Sequence, residues 1–100
     1  MRIEVRPSFD KAVLAAERPV RLAAGKVVQL IESFRDLNQL GTHPGLNFKK
    51  LHGLFTPDTE EQLYSLRITR SVRATACLRA GQGLVLVSLY VQHDKTYRKR

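Results

Sequence analysis

Residues 64–91 carry three apolar runs separated by turns, and their period limits what the chain can become. Tyr64, Leu66 and Ile68 alternate with Ser65, Arg67 and Thr69. Val72, Ala74, Ala76 and Leu78 alternate with Arg73, Thr75, Cys77 and Arg79. A period of two sends one set of side chains to each face of a strand, so both runs read as half-buried strands. Gly81-Gln82-Gly83 has hairpin-turn composition. Residues 84–91 are apolar on both faces, the pattern of a central strand.

The first half of the chain has a different period. Ile3 and Val5 alternate with Arg2, Glu4 and Arg6 in a first strand that Pro7 ends. Ser8 then suits the N-cap of a short helix with Phe9, Ala12, Val13 and Ala16 on one face, stopped by Pro19. The spacing Val20, Ala23, Val27, Ile31, Phe34, Leu37 predicts a long amphipathic helix to about Leu40. Gly41 stands where a C-cap glycine belongs. Two helices meeting at Arg18-Pro19 read as a helical hairpin. Residues 41–62 have no clear period, and a short strand or turn is expected within 46–51. The order β-αα-loop-βββ predicts an α+β fold, with the hairpin on one face of an antiparallel sheet of about four strands. One hundred residues suit a single domain, 1–100, with its own core.

Composition narrows the function. The lone Cys77 cannot form an internal disulfide, which fits a reducing compartment. No apolar run nears the roughly 20 residues needed to span a bilayer, and the N-terminus lacks a signal-peptide core. The expectation is a soluble cytoplasmic protein with no membrane partner. Seventeen Lys and Arg against nine Asp and Glu give a net charge of +8. Between Gln62 and His93 there are four arginines, Arg67, Arg70, Arg73 and Arg79, and no carboxylate. If the apolar sides of the strands face the helices, Arg67, Arg73 and Arg79 emerge on the opposite face, where forked donors match phosphate oxygens. RNA or DNA is the obvious partner for such a surface. Composition alone does not separate that reading from a solubilising basic surface.

The chemistry-bearing residues cluster at the C-terminal end. His93 can exchange a proton near neutral pH, and Tyr97 lies among cations that can activate its hydroxyl. Arg98, Lys99 and Arg100 follow as a basic tail. His43, His52, His93 and Cys77 show no metal-ligand spacing, so no metal or cofactor is expected. Cys77 shares a strand face with arginines, which makes a lowered thiol pKa conceivable, although a small, partly buried strand residue is the commoner case.

The whole chain resembles the RelE/ParE superfamily of bacterial toxins. The carriers are the element order, "LNFKKLHG" before the sheet, "LYSLRITRSVRATACL" as two strands, and "LVLVSLYVQHDKTY" at the end. The resemblance implies a small basic toxin encoded with a cognate antitoxin. RelE-like members cut messenger RNA without metal, usually on the ribosome, whereas ParE-like members inhibit DNA gyrase. On this resemblance Arg67 and Arg73 would contact the scissile phosphate, and His93 and Tyr97 would complete the catalytic set. Lys49, Lys50, Arg70, Arg79, Arg98 and Lys99 would bind the RNA backbone. RelE-like nucleases tend to carry lysines on the first late strand, where this chain has Arg67 and then Arg70. A gyrase inhibitor, a non-enzymatic nucleic-acid-binding module and a homodimer stay open at this point.

Overall fold

The computed structural model describes residues 1–80 and 83–91. Its elements are β1 (Arg2–Val5), α1 (Pro7–Ala15), α2 (Arg18–Glu32), α3 (Leu37–Thr42), β2 (Lys49–Phe55), β3 (Gln62–Arg67), β4 (Val72–Arg79) and β5 (Gly83–Val91). The strands form one sheet in the order β1-β5-β4-β3-β2. The fold is α+β, as the change of period implies. β5, apolar on both faces, lies inside the sheet, antiparallel to β4 and parallel to β1. Of the predicted turn, Gly81 and Gln82 lie outside the described residues.

The sheet has five strands, the fifth being β2, which overlaps the short strand or turn expected within 46–51 and extends beyond it to Phe55. Only Leu51 of its seven residues is half-buried; the others are exposed. An edge strand that buries neither face has no reason to alternate, so it leaves no period-two trace. It pairs antiparallel with β3, Lys49 opposite Ser65 and Lys50 opposite Tyr64, with an irregularity before Phe55. The Gln62 amide fills that gap by donating to the Leu51 and Leu54 carbonyls.

The helical layer also departs from expectation. Pro7 opens α1 instead of preceding it, because a residue without an N–H suits the first helical turn. Arg6 is therefore the N-cap, and the Ser8 hydroxyl donates instead to the Val87 carbonyl of β5. The expected long helix is two: α2 ends at Glu32 and α3 starts at Leu37. Asp36 caps α3 by accepting from Gln39 N–H at 3.2 Å. Gly41 falls within α3, and His43 is the C-cap. The apolar stripe survives the break, since Ile31, Phe34 and Leu40 are all buried against Leu66, Ala74, Ala76, Leu84 and Leu86 of the sheet. No helix among the described residues is long and apolar enough to cross a membrane.

One irregularity positions the site. Thr75 pairs with Ser88 but Ala76 pairs with Leu86, so Val87 has no residue opposite it. This is a β-bulge, and it reverses the alternation of β5. Leu84 and Leu86 face the helices before it; after it Leu89 does. Ser88 and Tyr90 are thereby turned to the face away from the helices, opposite Thr75 and Arg73.

Candidate nucleic-acid interface

Register builds two cross-strand rows on the face away from the helices. One is Arg67, Arg73 and Tyr90, drawn from β3, β4 and β5. The other is Lys49, Ser65, Thr75 and Ser88. Directly opposed residues hold their Cβ atoms about 4.5–5.5 Å apart, so each row is a continuous surface. The first row carries two cations and a phenol, the second one cation and three hydroxyls.

Arg73 is the centre of this surface, and it is not the solvated strand arginine expected from alternation. It is 2% exposed. Its Nε and Nη2 donate to the Ser65 hydroxyl at 3.1 and 2.9 Å, and Nη2 also donates to the Asn47 carbonyl at 2.7 Å. Nη1 makes no hydrogen bond to a described residue. Two features deliver these acceptors. Ser65 shares the Arg73 face because both are partners in the same β3–β4 register. Asn47 is left-handed, with φ 46°, a conformation asparagine tolerates better than most residues. Just before it the Leu46 carbonyl accepts from Arg67 N–H at 2.7 Å, which ties the loop to β3.

The electrostatics of Arg73 are unusual. Its partners are neutral, and none of Lys49, Arg67, Arg70 or Arg73 has a carboxylate partner among the described residues. Burying an ion without a countercharge costs several kcal/mol. Hydrogen bonds from a charged donor return about 1.5–3 kcal/mol each at best. A guanidinium kept this way is preorganised for an anion, and fixed donors in a dry site act more strongly on developing charge than mobile ones in water.

Arg79 shares the face but has another fate. It pairs with Glu61 at 2.9 Å and Glu4 at 3.5 Å, while Arg6 pairs with Asp58 at 3.1 Å and Glu61 at 3.5 Å. This network fastens the β2–β3 loop to β1 and β4. A hydrogen bond from Thr59, with help from Cys77, Arg79 and Arg6, holds the Glu61 carboxyl below its ordinary range against the opposing effect of burial. Cys77 is buried beneath it, and burial together with the Glu61 charge pushes its thiol pKa up. Cys77 is thus the small buried strand residue expected as the commoner case, because burial outweighs the nearby arginines.

The other expected residues divide. Lys49 joins the hydroxyl row, and Arg67 is exposed beside Arg73. Register turns Lys50 to the helix side, opposite Tyr64. Arg70 is exposed in the β3–β4 turn. His93, Tyr97, Arg98 and Lys99 lie outside the described residues. His43 accepts a hydrogen bond from Gly45 N–H and packs on Phe34, a structural position. Sequence reasoning missed Ser65, Asn47 and Tyr90. Ser65 could have been found, since alternation already put it on the arginine face. Tyr90 could not, because the bulge that turns it is invisible inside an apolar run. A cleft of about 500 Å³ opens beside the α1–α2 corner, bordered by Ala12, Ala16, Val20, Leu89 and Tyr90. Its lining among the described residues is largely apolar and includes no cation.

No family model matches the chain, and no curated protein does. Among solved structures, a chain of the archaeal RelE–RelB complex from Pyrococcus horikoshii is similar at 15% identity. The match covers 91% of this chain and 93% of that one, with a TM-score of 0.66. A copper-bound mutant toxin from Helicobacter pylori aligns over the same shares at 15% identity, with a TM-score of 0.43. The fold is RelE-like.

Proposed function

We propose that this protein is the toxin of a type II toxin–antitoxin pair and that it cuts ribosome-bound messenger RNA. The observation that carries the reading is Arg73: a buried guanidinium with neutral partners, next to the exposed Arg67, on the open sheet face of a RelE-like fold. The scissile phosphate sits at this pair. The ribose 2′-oxygen attacks the adjacent phosphorus as its proton leaves, the bond to the 5′-oxygen breaks, and that oxygen takes up a proton. The products are a 2′,3′-cyclic phosphate and a 5′-hydroxyl end. Arg73 and Arg67 stabilise the charge that gathers on the phosphate oxygens. His93 and Tyr97 remain our candidates for moving the two protons, on the family resemblance of the C-terminal segment. Lys49 and the basic residues Arg70, Arg98 and Lys99 hold the backbone without reading sequence. Arg79 is left out of this set because Glu61 and Glu4 already neutralise it.

The cellular setting follows from the same reading. The protein acts in the cytoplasm, where messages are translated, and needs no metal. Its antitoxin is an acidic segment that covers the arginine face. Induced expression in a bacterial host arrests growth, and co-expression of the antitoxin relieves the arrest. Arrest with intact messages and stalled gyrase would replace the nuclease with a ParE-like inhibitor.

A further inference from the structure

The bulge at Val87 has an effect beyond shaping β5. It places a tyrosine directly opposite the buried arginine. Without the extra residue, Ser88 and Tyr90 would continue the inward set of Leu84 and Leu86, and Leu89 would stand opposite Arg73. Bulges that re-aim one side chain beside a site are a recurring device. Tyr90 is half-buried, and its hydroxyl makes no hydrogen bond to a described residue. The fold therefore orders an aromatic ring there without engaging its polar end among the described residues.

We propose that Tyr90 is a stacking platform for one nucleobase of the bound RNA, which makes the site selective for an unpaired strand. The inference rests on the nuclease reading of the same surface and names its substrate class. A nucleotide with its phosphate at Arg73 has Arg67 on its β3 side and Tyr90 on its β5 side. Arg67 is a second cation for the backbone, and Tyr90 offers a π-face to the base. A base within a duplex is already stacked on its neighbours and paired, so it cannot lie on the ring. Single strands are commonly held in this way, by a cationic track plus an aromatic platform that tolerates every base.

The experiment compares binding of a short single-stranded RNA and of its duplex, across a salt titration, for the wild type, Tyr90→Phe and Tyr90→Leu. The wild type binds the single strand more tightly. Tyr90→Leu weakens single-strand binding by roughly 5- to 150-fold and leaves duplex affinity and the salt slope unchanged. Tyr90→Phe stays near wild type, because a phenyl ring stacks as well. Loss in Tyr90→Phe equal to that in Tyr90→Leu would overturn the platform in favour of a hydroxyl role. Equal loss of both RNA forms, or no loss in Tyr90→Leu, would also overturn it. A second measurement does not depend on how Tyr90→Leu folds. The chain has three tyrosines and no tryptophan, so Tyr90 is the remaining emitter in Tyr64→Phe/Tyr97→Phe. Adding single-stranded RNA quenches its fluorescence; unchanged emission on saturated binding contradicts stacking. A wild type that binds neither RNA form with salt dependence overturns the platform alone, because the nuclease reading is decided separately by cleavage of ribosome-bound message.

Discussion

A guanidinium at 2% exposure whose partners are one hydroxyl and one carbonyl lowers the stability of the fold that holds it. Replacing a buried ion and its partner by apolar groups is often neutral or stabilising. The double variant Arg73→Met/Ser65→Ala should thus melt at or above the wild-type temperature while RNA cleavage falls at least ~100-fold, the scale of one lost electrostatic contact to developing charge. A large drop in melting temperature would instead make Arg73 a structural residue. Arg67 and Arg79 should behave as opposites. Arg67→Gln reduces the salt slope of RNA binding by about one and leaves stability alone, because it frees one phosphate contact. Arg79→Gln leaves that slope unchanged and lowers the urea midpoint, because it breaks the Glu61 network. The sign of the pH effect follows from Glu61. Its folded pKa is depressed, so its contribution is present above the unfolded value and is lost as pH falls through the folded one. Stability should fall as pH drops below the ordinary glutamate value of about 4.3, and fall less in Glu61→Gln, as urea unfolding at pH 6 and pH 3 will show.

Elements are legible where apolar residues alternate with polar ones. β1, β3 and β4 do so and match their observed ends closely, even though Ser65, Arg73 and Cys77 on the outer face are buried as well. The double apolarity of β5 marks it as central. β2 buries almost nothing and left no pattern. The break between α2 and α3 was hidden because Phe34, Leu37 and Leu40 continue the stripe through it; the cue was Asp36 three residues before Gln39, a cap signal inside an amphipathic run. The same cap yields a prediction. Asp36→Ala removes about 1 kcal/mol, which for a chain of this size lowers the melting temperature by roughly 4–8 °C. Asp36→Asn, which keeps the acceptor, should recover most of it. Calorimetry of the two variants decides whether α3 is a separately capped helix or a continuation of α2. The site was less legible than the fold. Alternation placed Arg67 and Arg73 on one face correctly but implied that Arg73 is solvated, since no local pattern reveals a carbonyl brought from residue 47. Tyr90 was lost because a one-residue bulge reverses every side chain after it.

Over the whole molecule, the charge of +8 is distributed unevenly by pairing rather than by composition. Arg6 and Arg79 are engaged by Glu4, Asp58 and Glu61 toward one end of the open face, whereas Lys49, Arg67 and Arg73 have no carboxylate partner among the described residues. That asymmetry gives the sheet a polar direction, with its unneutralised cations gathered where β3, β4 and β5 align Arg67, Arg73 and Tyr90. Three such contacts on a single strand imply a slope of log affinity against log salt of about −2, with further backbone contacts making it steeper. The reading of this surface as a nuclease site stands or falls on where new RNA ends appear. A translated message is incubated in a purified translation system with the wild type or Arg73→Met/Ser65→Ala, and its 5′ ends are mapped. New 5′-hydroxyl ends are expected at ribosome-bound codons with the wild type, insensitive to chelator and absent with the variant. An intact message with the folded wild type, or equal cleavage by the variant, would contradict that reading.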